Sequence, residues 1–192
     1  MKTLFFICAL SGAFLGPPTS ATEVIEVTRE NALEFLPGGK EADGIVGDFV
    51  LRNDQITALI SGSLPLRRAN MSTFYGDGNH TPGCLYDLTL RGEANDQLTV
   101  FAPCGQRGDV SWVKPVDDGV ETFQSASRGK GIERRHVYTL DGKKVVVEST
   151  LTNKTGETLE VSIKDDTGRF RTTGRCEFVD WVEAIDPADR CG

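Results

Sequence analysis

The chain has 192 residues, with 21 lysines and arginines against 28 aspartates and glutamates, two histidines and a formal net charge of −7. That acidic balance opposes binding to nucleic acid or to an anionic membrane surface, since both need a basic face. It suits a neutral or cationic partner, and the length suits a single domain with a sizeable core.

Residues 1–21 read as an export signal: Met1-Lys2 is a short positive start, Leu4 to Leu15 is almost wholly apolar, and Thr19-Ser20-Ala21 offers small residues for cleavage. The apolar run is shorter than the roughly 20 residues a spanning helix needs. No later segment approaches that length, so no membrane span is expected. Cys8 follows Phe6-Ile7 inside the apolar core of the signal, which argues against a lipid anchor. The expected product is a secreted or periplasmic β-sandwich domain over residues 22–192, carrying 20 basic and 28 acidic side chains.

Strand signals follow in chain order, as β-branched and aromatic runs separated by glycine, asparagine and aspartate turns. Val24 to Thr28 is the first. Phe49 to Arg52, Asn53-Asp54 and Gln55 to Ser61 read as a hairpin. Between Leu64 and Leu90 the pattern is interrupted by Pro65, Gly76, Gly78, Pro82 and Gly83, which predicts a long ordered loop across one end of the sheets. Gln97 to Phe101 is a further strand, and Val110 to Val116 and Val120 to Gln124 are joined by Asp117-Asp118-Gly119. His136 to Leu140 and Lys143 to Leu151 flank Asp141-Gly142, whose glycine supplies the positive φ that a tight hairpin turn needs. Leu159, Val161 and Ile163 alternate with Glu160, Ser162 and Lys164, as on a half-exposed antiparallel strand. Phe178 to Ile185 fits helical spacing as well as strand alternation, and strand is preferred. The chain then ends at Asp186-Pro187-Ala188-Asp189-Arg190-Cys191-Gly192, either a natural turn or the cut end of a longer protein, which would leave the last strand unpaired. The predicted fold is all-β, an antiparallel sandwich or super-sandwich that is incomplete at its C-terminus if the chain has been cut.

Without the signal the chain keeps Cys84, Cys104, Cys176 and Cys191, an even number for an oxidising compartment. Disulfides are expected, with Cys84 to Cys104 as the first candidate pair. No C-x-x-C occurs, which argues against a zinc or redox centre.

Catalytic motifs are missing: the sequence has no H-E-x-x-H, H-x-H, G-x-S-x-G, P-loop or EF-hand loop. His80 and His136 are the only neutral-pH bases, and a mutarotase- or lyase-like enzyme would need both rings in one cleft. The plainer reading makes one a strand residue and the other a loop residue. The densest set of hydrogen-bonding and aromatic groups lies between Arg67 and Asp87, with Arg67, Arg68, Asn70, Tyr75, His80 and Asp87 as candidate ligand-binding residues. Planar donors grip hydroxyls or carboxylates, and aromatic rings stack on sugars. On that reading, Arg67→Ala with Tyr75→Ala weakens binding without unfolding the protein. Asp77, Asn79 and Asp87 are oxygen ligands of the kind calcium takes, but Asp-Gly-Asn is equally an ordinary turn, so no metal and no cofactor is expected. Trp112 and Trp181 read as core or sheet-face residues.

The run Gly47-Asp48-Phe49-Val50-Leu51-Arg52-Asn53-Asp54, with Ile56 to Ile60, Arg68-Ala69-Asn70-Met71 and Leu85-Tyr86-Asp87-Leu88, resembles the β-rich N-terminal region of large secreted bacterial proteins of planctomycete type. Those proteins often carry a CehA/McbA-type metallohydrolase domain further along. Tyr138-Thr139-Leu140 through Thr150-Leu151-Thr152-Asn153 is similar to strands of galactose-mutarotase-like super-sandwiches. The resemblance implies an accessory role, because the H-x-H pair and further histidines that hold metal in the hydrolase are missing from this chain. The expected function is a secreted, non-catalytic module binding carbohydrate or a partner domain. Its rivals are the two-histidine enzyme and a purely structural fragment.

Overall fold

The computed structural model describes residues 21–39, 43–67, 81–94, 98, 100–106, 109–161, 166–167 and 177–184. Residues 1–20, in the stretch expected to be an export signal, Cys176, Cys191 and the final residues lie outside them.

The architecture is all-β, with two sheets packed face to face. In the first, β1 (Glu23–Glu26), β2 (Phe49–Arg52), β3 (Ile56–Ile60), β4 (Leu85–Leu90) and β5 (Phe101–Ala102) lie side by side in chain order, every pair antiparallel. The second runs β6 (Trp112–Val116), β7 (Gly119–Gln124), β8 (Ile132–Asp141) and β9 (Lys144–Asn153), again antiparallel between chain neighbours. Each sheet gains one later strand: β10 (Asp166–Thr167) on β5, and β11 (Glu177–Ala184) on β9. β11 pairs in parallel, which the alternation of its residues gave no means of foreseeing.

Burial alternates residue by residue along β8 and β9, as a strand covered on one face requires. The principal core therefore takes Phe49, Leu51, Ile56, Ala58, Ile60, Leu85 and Leu88 from the first sheet and Val120, Tyr138, Val145 and Val147 from the second. The outer face of the first sheet is covered as well. There Val50, Leu59 and Tyr86 pack against Phe35 and Leu36 around the single helical turn α1 (Ala32–Phe35).

Turn chemistry sets the hairpins. Asn53 Oδ1 accepts the Gln55 and Ile56 amides at 2.8 and 2.9 Å, closing the β2–β3 turn. Its Nδ2 donates to the Gly142 carbonyl at 2.8 Å, tying this turn to the β8–β9 turn of the other sheet. The latter turn consists of Gly142, with φ of 57°, and Lys143, one residue beyond the expected Asp141-Gly142 centre, because Asp141 still pairs with Lys144.

Three expectations are corrected. Residues 158–161 form no strand: Leu159 and Val161 instead pack on Ile132 and Leu151 at the end of the sandwich, so their alternation serves that contact. Of the strand expected over Gln97 to Phe101, the described residues show a bridge at Leu98, no strand at Val100 and the strand Phe101–Ala102, while Gln97 and Thr99 lie outside the described residues. Cys84 and Cys104 are both buried but not bonded to each other. Cys84 belongs to the cluster on the outer face of the first sheet, whereas Cys104 packs with Ile132 and Leu151.

Candidate functional site

Asp48 closes the loop before β2 and is 1 % exposed. Its Oδ2 accepts the Ile45 amide at 2.9 Å and its Oδ1 the Gly62 amide at 2.8 Å. Oδ1 also meets Nη1 of Arg67, which is 8 % exposed. One carboxylate therefore ties the segments 45–48 and 61–67 together. The rest of the guanidinium is engaged too: Nη2 donates to the Asp43 carbonyl at 2.5 Å, and its carbon lies 4.4 Å from the Tyr86 ring centre. The Tyr86 hydroxyl meets Thr81 Oγ1, and burial pushes its phenol up to about 12 against the pull of Arg67. Thr81 closes the circuit, because its amide donates to the Arg67 carbonyl at 3.0 Å. Departure of the chain at Arg67 and its return at Thr81 are thus joined at a fixed neck.

Beside this network is a groove of about 370 Å³ lined by Ile45, Val46, Gly47, Asp48, Gly62, Ser63, Leu64 and Pro65. Its floor is close-packed backbone: a Cβ on Gly62 would lie 2.0 Å from the Gly47 carbonyl oxygen. Among the described residues, five large apolar side chains stand exposed, and Ile45, Val46, Leu64 and Leu66 are four of them. Leu66 holds the left-handed backbone at φ 60°, and its amide donates to Asp109 Oδ1 at 2.8 Å. A branched residue in that conformation is strained by about 1–2 kcal/mol. Strain that presents a leucine to solvent does nothing for the core.

No protein-family model, curated protein or solved structure matches the chain.

Of the six residues marked in the sequence, Arg68, Asn70, Tyr75 and His80 lie outside the described residues. Arg67 is a buried ion-pair partner rather than an exposed donor. Asp87 is buried on β4 opposite Leu59, on the strand face that packs beneath α1 and away from the inter-sheet core. Nor does His136 meet solvent. It sits on the inner face of β8 with Nδ1 2.8 Å from Ser149 Oγ, and burial together with the neighbouring Arg134 pushes its ring down to about 3. A base that weak and that enclosed is unsuited to proton transfer at neutral pH.

A second polar and aromatic surface occupies the outer face of the second sheet. Trp112 and Phe123 stack with centres 5.2 Å apart, and Lys114 lies 4.2 Å over the indole. Glu121 is shared by Arg135 at 2.5 Å and Lys114 at 3.7 Å. The Arg135 hydrogen bond holds the Glu121 carboxyl below its usual range, with burial opposing.

Among the described residues no group of three or more histidine, cysteine, aspartate or glutamate side chains is placed to hold a metal ion. None of their helices is long and apolar enough to cross a membrane.

Sequence reasoning missed the Asp48 network and the aliphatic groove. Gly47-Asp48 carried a faint signal, since an aspartate just before an apolar strand must be bonded if it is buried. Ile45 and Val46 stand outside any periodic run.

Proposed function

We propose that this chain is an exported, non-catalytic β-sandwich module that docks a partner protein domain through the groove between residues 45–48 and 62–65. The observation carrying this reading is the clustering of exposed Ile45, Val46 and Leu64 around one groove with an internally bonded floor, with exposed Leu66 two residues along the chain from Leu64. Exposed apolar side chains gathered in one place mark protein contacts, whereas scattered ones carry no such meaning. A protein partner fits this chemistry better than a glycan, since the rim is aliphatic and Arg67 is committed to Asp48. The accessory role implied by the resemblance to secreted hydrolase-associated proteins agrees with this reading, and the partner is then the catalytic part of such an assembly.

Binding of carbohydrate is the second reading, favoured by the half-buried Trp112–Phe123 pair on the outer face of the second sheet. A photo-crosslinker at Val46 of the exported protein separates the two. Docking predicts discrete protein adducts that disappear in Ile45→Asp/Leu64→Asp, while the unfolding midpoint stays unchanged because both side chains are exposed. Retention on soluble polysaccharide that is lost in Trp112→Ala, without protein adducts at Val46, would overturn it.

A further inference from the structure

The inner face of the second sheet changes character along its length. At one end it is apolar, with Val120, Tyr138 and Val147 in register. At the other end the next rows are Thr122, His136 and Ser149, then Gln124, Arg134 and Leu151. Thr122, His136 and Ser149 are fully buried. His136 Nδ1 has the Ser149 hydroxyl, while His136 Nε2, Thr122 Oγ1, Gln106 Oε1 and Arg134 Nε find no hydrogen-bond partner among the described residues.

Among the described side chains no titratable group offers the ring a carboxylate counter-charge; beyond β9, β11 brings Asp180 into register with Val147, one row from Ser149. Arg134 is a half-buried cation one row away, bonded to Gln124 Oε1 at 3.1 Å and the Gly129 carbonyl at 3.4 Å, with no carboxylate. Tyr138 lies one row to the other side, and β7 and β9 bring Thr122, Gln124, Ser149 and Leu151. The turn at 103–106 contributes Cys104 and Gln106. Glu121, Glu133, Arg135 and Glu148 alternate to the opposite face, and the first sheet's inner face is apolar through Phe49, Leu51, Ile56, Ala58, Ile60, Leu85 and Leu88, with Glu26 in register with Phe49 on the edge strand β1. A proton on His136 would therefore place a fully buried cation beside the half-buried Arg134.

This polar end and the Tyr138 row beside it are bolted to the segment 81–83. Tyr138 Oη donates to the Gly83 carbonyl at 2.9 Å, and Gln106 Nε2 to the Pro82 carbonyl at 3.0 Å. Gly83 has φ of 73°, and a Cβ there would lie 3.2 Å from that of Thr122, so the segment rests directly on the row containing His136.

We propose that His136 is a built-in acid trigger: protonation of its ring opens the end of the sandwich formed by β7, β8 and β9 and releases segment 81–83. The sign follows from linkage. The ring stays neutral in the closed form and becomes charged once exposed, so stability is fully present above about pH 6.5 and is lost as the pH falls below it. Opening then gains up to tenfold per pH unit. The device is independent of what docks in the groove.

Urea unfolding of the exported protein between pH 6.5 and pH 4.5, compared with His136→Gln, tests this. The unfolding constant of the native sequence should rise about 50-fold more than that of the variant. Equal pH dependence of the two would overturn the proposal. Should the variant not fold, hydrogen exchange of the native sequence decides. Protection of the Gly83 and Ser61 amides, which bond to the Ser61 and Cys84 carbonyls at 3.0 and 2.9 Å, should fall at pH 4.5 relative to pH 7. Unchanged protection, or a folded-state ring titrating near its ordinary value, would contradict the trigger.

Discussion

Arg67 shows how one side chain changes meaning once its surroundings are fixed. In sequence it is the first of two adjacent arginines heading a polar run. In the fold it neutralises Asp48, which is 1 % exposed and also receives two backbone amides. Removing one partner of a buried pair leaves an uncompensated charge, so Arg67→Ala should cost about 3–5 kcal/mol. Urea unfolding measures it, and a loss below about 1 kcal/mol would mean that the pair does not hold the neck. The expectation that this arginine can be removed without harm to folding therefore gives way to a structural role. Leu66, its neighbour, predicts the opposite pattern. Leu66→Gly relieves left-handed strain of about 1–2 kcal/mol while loosening the unfolded chain by about 0.5–1 kcal/mol. Stability should hold within about 1 kcal/mol, and Val46 crosslinking should fall if the partner's contact extends from the groove to exposed Leu66. Loss of stability with full crosslinking would contradict a docking role for this leucine.

Among the elements, hairpins were the most legible part of the chain. Asn53-Asp54 and Asp141-Gly142 carry turn chemistry in two or three residues, and the flanking runs show which face is buried. The structure adds that these two turns are joined, through Asn53 Nδ2 and the Gly142 carbonyl. Asn53→Ala removes that bond and two turn bonds together and should cost about 1–3 kcal/mol in urea unfolding. A cost near zero would leave the inter-sheet tie without energetic weight. Elements whose partners lie far along the chain were less legible. The strand character of β11 could be read, but its parallel pairing with β9 depends on residues some 30 positions earlier. The alternation at Leu159 and Val161 was real, yet it reports packing on Ile132 and Leu151 rather than a ladder.

Across the whole molecule, the two sheets and their core followed from alternation and turn signals, whereas the groove did not. Ile45, Val46, Leu64 and Leu66 belong to irregular segments that flank the paired ends of β2 and β3, and the Asp48 carboxylate ties those segments together. Spacing likewise suggested Cys84 with Cys104, but the chain places them in separate clusters. One end of the molecule therefore combines a buried ionic brace with an exposed aliphatic rim, and the polar rows around His136 reach the same end through segment 81–83. Crosslinking from Val46 in the host cell, with Glu148 on the far sheet as control, tests the docking assignment most directly. The account predicts discrete adducts from Val46 alone, lost in Ile45→Asp/Leu64→Asp; equal adducts from both positions, or none from Val46, would contradict it.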